Sequence, residues 1–276
     1  MKVHRVRCFG ATPDAGNVAD VIEDGPASVA DRLAFADASG APACVFIDGA
    51  GPWEADFYYP HARSPLCLHA TLAAAHVLCQ RHGGPVTLKS AMRGQMMELT
   101  QEVAGTFARV RKQAVAPIGI EPGLPAFLLG EPGLRLASPP LLSSVGSTKL
   151  LIEVPDRASL HALTPPLGRI VDWGKEQGVG GCYVYCRVGD SEFEGRNFNH
   201  LDPAREDAAT GVAAGALCAW LERDIVVHQG AHLGNPCTLL ARIDGQAVLV
   251  GGATVAQDGQ RPGAADAPPH APAGPR

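Results

Sequence analysis

Short alternating runs of hydrophobic and polar residues, interrupted by a few longer apolar segments, predict a chain rich in strands with a small number of helices. The helix-like segments cover residues 28–38, 69–81, 159–177 and 209–223, the third being broken near Pro165-Pro166. The strand-like runs cover residues 3–9, 18–22, 43–47, 56–59, 86–88, 96–100, 106–113, 149–154, 181–187, 194–198, 225–229, 237–243 and 247–255. This mixture predicts an α+β protein.

Two of the predicted helices begin alike, in the segments 65–78 and 206–221. Each segment places a potentially reactive side chain, Cys67 or Asp207, shortly before a threonine and a run of small and apolar residues. Helix N-termini have unpaired N–H groups and a positive dipole end, so they hold carboxylates and lower the pKa of nearby thiols. Two such ends facing each other would hold a carboxylate-bearing substrate between two proton-handling groups.

The domain organisation follows from composition. Residues 114–145 are rich in Pro, Gly and Leu without clear periodicity, and we expect the passage between two domains there, with an N-terminal domain at 1–128 and a C-terminal domain at 129–256. Residues 257–276 are rich in Ala and Pro and are predicted to be disordered. Two α+β halves, each containing one of the two helices that begin alike, predict a pseudo-symmetric pair of domains with a cleft between them.

Composition limits the functional classes. The 276 residues are 46% hydrophobic and 18% charged, which is typical of a globular protein, and the net charge of −5 gives no electrostatic reason to expect nucleic acid or an anionic membrane as partner. No apolar run is long enough to span a membrane, and the N-terminus lacks the apolar core of a secretion signal, so a cytoplasmic location is expected. The eight cysteines form no C-x-x-C pair, and all except Cys67 are expected to be reduced structural thiols.

A set of short sequence words occurs in a specific order: Gly16-Asn17, Pro65-Leu-Cys-Leu-His-Ala-Thr71, Arg196-Asn-Phe, Glu206-Asp-Ala-Ala-Thr-Gly211, and Gln229-Gly with Gly234-Asn-Pro-Cys237. From about residue 3 to residue 255, the chain resembles the phenazine-biosynthesis (PhzF-like) isomerases of the diaminopimelate epimerase-like superfamily. The resemblance implies two pseudo-symmetric domains of the diaminopimelate epimerase-like fold, each a sheet wrapped around a central helix. It also implies a homodimer that moves protons on small amino- or hydroxy-carboxylic acids without a cofactor or metal.

The resemblance assigns roles to individual residues. Cys67 and His69 match the Cys and His of the family word Cys-Gly-His-Ala-Thr, and Asp207 matches the Asp that binds and orients the substrate in Glu-Asp-Pro-Ala-Thr-Gly-Ser. Thr210 and Gly211 match the helix start that presents backbone N–H groups. Each assignment has a structural alternative: a small buried hydrophobe for Cys67, a hydrogen-bonding histidine for His69, and a helix cap for Asp207.

Asn17 also falls in the resemblance and is a candidate substrate-binding residue, although an Asn after Gly16 is equally consistent with a simple turn. His76 lies on the same helix face as His69, but no third ligand follows at metal-site spacing, so we expect it to pack.

Three departures from the family pattern change the expected chemistry. Ala43 stands where the family has its proposed acid/base glutamate, Leu68 replaces a glycine, and Val212 replaces a serine. An alanine cannot relay a proton, so Cys67 is predicted to be the replacement acid/base, as in the epimerase branch, where a cysteine at the matching helix start is a thiolate base. Leu68 and Val212 would line the binding site and favour a less polar substrate.

These observations predict a cofactor-independent isomerase or epimerase that shifts a proton, with or without a C=C bond, on a small carboxylic or cyclic amino acid in natural-product biosynthesis. A non-catalytic small-molecule binding protein that lost the glutamate is the alternative. A hydrolase with a Cys67–His69 nucleophile pair is disfavoured because residues two apart at a helix start are expected to point in different directions.

Overall fold

The computed structural model describes residues 1–198 and 206–257. The helices are α1 (Val29–Ser39), α2 (Leu68–His82), α3 (Leu124–Leu129), α4 (Arg157–Ala162), α5 (Leu167–Gln177) and α6 (Gly211–Leu221). The strands are β1 (Lys2–Cys8), β2 (Asn17–Glu23), β3 (Ala43–Asp48), β4 (Trp53–Tyr59), β5 (Ala62–Ser64), β6 (Val86–Ser90), β7 (Met96–Glu102), β8 (Gly105–Arg111), β9 (Leu141–Ser143), β10 (Lys149–Glu153), β11 (Cys182–Arg187), β12 (Glu192–Phe198), β13 (Ile225–Gln229), β14 (Cys237–Asp244), β15 (Ala247–Gly252) and β16 (Thr254–Gln257).

The strand order contains the same pattern twice. Strands β1-β2-β3-β4-β6-β7-β8 are neighbours in that order, and so are β9-β10-β11-β12-β13-β14-β15. In the first set the parallel pairs are β2–β3 and β4–β6, and in the second set they are β10–β11 and β12–β13. The remaining neighbours in both sets are antiparallel. Helices α2 and α6 both precede the fifth strand of their set. The predicted pseudo-symmetry of the two halves is therefore present in the topology.

The two halves are joined through the sheet. Strand β15 of the second set pairs with β8 of the first, in register from Ala247 opposite Arg111 to Gly252 opposite Thr106. The chain then continues into β16, which pairs with β1. The last two strands therefore pair with both edge strands of the N-terminal half, β8 and β1. The domain boundary near residue 128 stays a prediction.

The central helices α2 and α6 are buried because most of their side chains are small or apolar. Helix α2 contacts strands β1, β2, β3, β6, β7 and β8, and helix α6 contacts β9, β10, β14 and β15. Alanines such as Ala73 and Ala74 in α2, and Ala213 and Ala214 in α6, are fully buried and let the strands approach closely. Each half is thus a sheet wrapped around one helix, as expected.

Most predicted elements are present within a few residues of their predicted bounds. Ser28 is the N-cap of α1, with its hydroxyl accepting from the Asp31 N–H at 3.1 Å, and the break at Pro165-Pro166 separates α4 from α5. Residues 114–145, which show no clear periodicity, contain α3 and β9, and both elements are too short to produce a clear period. Gln257 ends β16, while the rest of the predicted tail lies outside the described residues.

Two further expectations concern membranes and thiols. Among the described residues, no helix has the length and apolar character needed to cross a membrane. All eight cysteines are free and buried.

Candidate active site

A cavity of about 450 Å³ lies between the starts of α2 and α6. The two helix starts touch: a Cβ atom built on Gly211 would lie 3.0 Å from the Cβ of Leu68. Seven of the eight predicted site residues line this cavity, namely Cys67, Leu68, His69, Asp207, Thr210, Gly211 and Val212. The eighth, Asn17, reaches the site by its hydrogen bond to Asp207.

Cys67 and His69 are in direct contact in the cavity. The Cys67 Sγ atom lies 3.4 Å from Nδ1 of His69 and 3.8 Å from its Nε2. Cys67 is the N-cap of α2 and has an extended backbone with φ −137° and ψ 104°, so its side chain does not follow the helical register. The expectation that these side chains point in different directions was wrong for this reason.

The environment of this pair favours the charged forms of both groups. Burial raises the pKa of the Cys67 thiol, but the His69 ring, the Ala70 N–H and the Tyr59 hydroxyl lower it, and the pKa ends below its ordinary value. Burial lowers the pKa of His69, but the Cys67 sulfur and Asp207 raise it above its ordinary value. Each group therefore stabilises the charged form of the other.

Cys67 differs from every other cysteine in this respect. Burial raises the pKa of the thiol in all of the others: Cys8, Cys44, Cys79, Cys182, Cys186, Cys218 and Cys237. A raised pKa favours the unreactive thiol form in these seven residues, while the lowered pKa of Cys67 is typical of a reactive thiol.

Tyr59 is a site residue that the sequence did not reveal. It ends β4 and lines the cavity, and its hydroxyl hydrogen-bonds with Cys67 and with Ser64. Burial, followed by the charges on Cys67 and Asp207, raises the pKa of Tyr59 well above its ordinary value, so the phenol stays protonated and acts as a donor to the sulfur. The only sequence signal was the end of a strand before Pro60, which carries no chemical information.

The Asp207 carboxylate organises the start of α6. Its Oδ1 accepts from Asn17 Nδ2 at 2.8 Å and from the Ala209 N–H at 3.3 Å, and its Oδ2 accepts from the Thr210 hydroxyl at 2.5 Å. Gln229 Nε2 donates to the Asp207 carbonyl oxygen at 2.7 Å. The N-cap of α6 is Thr210, so Asp207 acts on the turn that precedes the helix.

Lys149 is a second site residue that the sequence did not reveal. It begins β10, lines the cavity and is only 2% exposed, with its Nζ donating to the carbonyl oxygen of Gly180. Burial lowers the pKa of Lys149 to about 8, against the opposing influence of Asp207 and Cys182. Its position after a Gly/Ser-rich stretch resembles an ordinary strand start, so only the tertiary structure identifies it.

Other titratable groups have structural partners. His76 Nδ1 bonds with the Thr254 hydroxyl at 2.9 Å, which agrees with the packing role expected for this histidine. Glu54 pairs with Lys89 at 3.4 Å, and Glu194 pairs with Arg157 at 2.7 Å, so both carboxylates are engaged at the surface. Within the described ranges, no three His, Cys, Asp or Glu side chains are arranged to hold a metal ion.

A family model described as "Phenazine biosynthesis-like protein" matches residues 6–259. The chain belongs to this family. A relative from Deinococcus radiodurans, named "Uncharacterized isomerase", is 29% identical over 94% of both chains.

Solved structures of other proteins share the fold of this chain. A PhzF-family protein from Bacillus anthracis superposes with a TM-score of 0.76 at 18% identity, covering 94% of this chain and 98% of that one. A hydroxyproline epimerase from Agrobacterium vitis, solved with bound trans-4-hydroxy-L-proline, superposes with a TM-score of 0.54 at 14% identity, covering 93% and 90%. The epimerase-like fold expected from the sequence is confirmed.

In this family member, Ala43 is the first residue of β3 and is 1% exposed. It belongs to the apolar cluster that surrounds α2, together with Val45 and Ala73. Ala43 is not among the residues that line the cavity, and its methyl group has no proton to exchange.

Proposed function

We propose that this protein is a cofactor-independent isomerase that moves a proton on a small carboxylic or cyclic amino acid, with Cys67 as the base. An isomerase-type function is supported by the family and by the relatives named isomerases. The observation that carries the assignment of the base is the 3.4 Å contact between the Cys67 sulfur and the His69 ring inside the cavity. A positioned general base accelerates proton transfer by roughly 10² to 10⁴.

The reaction would begin with the thiolate of Cys67 removing a proton from the carbon next to the substrate carboxylate. The electron pair left on that carbon delocalises into the carboxylate or a conjugated C=C bond, and the positive helix ends stabilise the charge that develops. Return of a proton from His69 or from Cys67 completes the isomerisation, so no proton or electron is gained or lost. Because Cys67 and His69 are adjacent, a proton shift on one face of the substrate is favoured over inversion.

The wall of the cavity supports a compact, partly apolar substrate. Leu66, Leu68 and Val212 line it, in agreement with the less polar substrate expected from the replacement of Gly and Ser. Asp207 holds the Thr210 hydroxyl and the start of α6 in place, and thereby orients the N–H groups that would meet a carboxylate. Cyclic amino acids are reasonable test substrates because the Agrobacterium vitis epimerase of similar fold binds a hydroxyproline.

Solvent deuterium wash-in tests this function. The protein is incubated in D₂O with proline, hydroxyproline, unsaturated proline derivatives, diaminopimelate and dihydro-hydroxyanthranilate, and mass spectrometry detects exchange at carbon. We expect exchange with at least one compound, lowered about 100-fold or more by Cys67→Ala. Cys79→Ala is the matched control, since Cys79 is a buried thiol of the same helix, and should leave exchange unchanged. Undiminished exchange in Cys67→Ala would contradict the proposal.

A non-catalytic binding protein is the second candidate, and the alanine at position 43 is the observation that favours it. The same panel separates the two candidates. Ligands that raise the melting temperature without any exchange at carbon would support the binding protein and overturn the isomerase. Natural-product biosynthesis as the setting and a homodimer as the assembly belong to the isomerase proposal and stay predictions.

A further inference from the structure

Lys149 carries a buried ammonium group on the wall of the cavity. An ammonium has three N–H donors, and the described residues give it one acceptor, the carbonyl oxygen of Gly180. The side chain is 2% exposed, so solvent does not freely satisfy the remaining donors. A buried ammonium group whose N–H donors are not all paired, at the edge of a binding cavity, is suited to binding an anionic group of the ligand.

Within residues 1–198 and 206–257, no carboxylate pairs with Lys149. Asp207 attracts the Lys149 charge, but its carboxylate oxygens accept from Asn17, Ala209 and Thr210. None of the ion pairs within 4.0 Å that the described chain forms includes Lys149. The other cavity cations differ, since Arg63 pairs with Asp56 at 2.7 Å. Lys175 and Arg93 are exposed at the rim, where water solvates their charges.

We propose that Lys149 anchors the substrate carboxylate, donating its free N–H groups to the carboxylate oxygens. This inference rests on the proposed function and specifies its substrate: an acid whose ionised carboxylate reaches the wall formed by β10. Lys149 comes from the C-terminal half, whereas Cys67 and His69 come from the N-terminal half. The carboxylate would therefore face β10 while the carbon bonded to it faces Cys67, and the apolar part of the substrate would lie against Leu68. Neutral amides of the same acids would lack the anion and bind weakly.

Ligand binding is then linked to proton uptake. In the free protein, burial lowers the pKa of Lys149 to about 8, so a fraction of the amine is neutral at pH 8.5. A bound carboxylate favours the ammonium form, so binding at that pH takes up a proton, and affinity falls as the pH rises further. Among the described residues, Asp207 and the Cys182 thiol of β11 act on the charge of Lys149. Lys175 of α5 and the Cys67–His69 pair line the same cavity, so variants must separate their contributions.

Isothermal titration calorimetry of the full chain at pH 8.5 tests the anchor. The probes are benzoate and pyrrole-2-carboxylate, each compared with its neutral amide, in two buffers of different ionisation enthalpy that report the protons taken up. The variants are Lys149→Met, which keeps the apolar stem, and Lys149→Gln, which also keeps a donor toward Gly180. Lys89→Met is the control because Lys89 is an exposed lysine outside the cavity.

We expect at least one acid to bind with uptake of a fraction of a proton, and both Lys149 variants to weaken binding about tenfold or more and to abolish the uptake. Lys89→Met should change neither quantity. Equal binding of acid and amide, unchanged binding in both Lys149 variants, or no binding of any acid would overturn the anchor. The outcome is separable from that of the proposed function: Cys67→Ala should bind the acids normally and lose only the exchange at carbon.

Discussion

The side-chain amide of Asn17 donates to the Asp207 carboxylate at 2.8 Å, joining two residues that are 190 positions apart in the chain. The same amide nitrogen donates to the Ala209 carbonyl oxygen at 2.9 Å. Asn17 begins β2 of the N-terminal half, and Asp207 precedes α6 of the C-terminal half. This contact therefore fixes the start of α6 against the other half of the molecule.

Replacement of Asn17 by Ala should lower the free energy of unfolding by about 2 kcal/mol, because hydrogen bonds to charged groups contribute about 1.5–3 kcal/mol and the Asp207 oxygen would lose a buried donor. Urea unfolding measures the change. Gln101→Ala, on the exposed surface of β7, is the control and should have little effect. Equal stability of the two variants would show that the Asn17–Asp207 contact does not hold the halves together.

The Cys67 thiol should react with iodoacetamide at neutral pH faster than any of the other seven cysteines, because its pKa is lowered while theirs are raised. Peptide mass spectrometry after brief labelling identifies the modified residue. His69→Gln removes the group that stabilises the thiolate and should slow labelling about tenfold. His76→Gln, at a buried histidine of the same helix, is the matched control and should leave the rate unchanged.

The pH dependence of this labelling follows from the direction of the shift. The lowered pKa of Cys67 means that the thiolate persists as the pH falls below the ordinary thiol value of 9.0, until the lowered pKa is reached. His69 has a raised pKa, so its positive charge is present at low pH and is lost as the pH rises through the raised value. The midpoint of the rate profile should lie below 9.0 in the native protein and move upward in His69→Gln. An unchanged midpoint would contradict the ion pair.

Gly211 provides a test of the contact between the helix starts. A Cβ atom there would lie 3.0 Å from Leu68 Cβ and 3.1 Å from Phe9 Cζ, so Gly211→Ala should destabilise the protein by about 1–3 kcal/mol and weaken ligand binding. Gly168→Ala is the control: Gly168 lies in α5, and its added Cβ would meet no atom within 4 Å. This control should stabilise the protein by about 0.5–1 kcal/mol. Thermal unfolding of both variants measures these changes. A Gly211→Ala variant more stable than the native protein would contradict the close contact between the helix starts.

Glu23 should make acid stability depend on pH. Its carboxylate accepts from the two terminal guanidinium nitrogens of Arg81, each at 2.6 Å, and contacts His4 at 2.9 Å. These hydrogen bonds, those of Arg81 foremost, lower the pKa of Glu23 to about 2. The carboxylate therefore contributes stability above its ordinary pKa of 4.5, and this is lost as the pH falls toward 2. Because Arg81 is 43% exposed, we expect the contribution to be only about 1–2 kcal/mol.

Chemical unfolding of Glu23→Gln and the native protein between pH 2 and 7 measures this contribution. The difference between them should be present at neutral pH and disappear at the acid end. Glu176→Gln, at an exposed carboxylate of α5, should follow the native protein throughout. A difference between Glu23→Gln and the native protein that is independent of pH would show that packing, rather than charge, is responsible.

The sequence alone determined the local elements and the family. Small and apolar residues fill α6 and most of α2, and strand alternation is a property of neighbouring residues, so both signals are encoded within short windows. The family resemblance also identified seven residues that line the cavity, because sequence words carry residue identity directly. Where no periodicity exists, as in α3 and β9, the local signal was insufficient.

The tertiary structure decided which groups meet. The contact between Cys67 and His69 depends on the extended backbone of one N-cap residue, which hydrophobic patterning does not report. Tyr59 and Lys149 enter the cavity from the ends of β4 and β10, and their altered pKa values arise from burial among distant segments. Burial and long-range hydrogen bonding depend on how the two wrapped sheets face each other, and this is fixed only when the whole chain has folded.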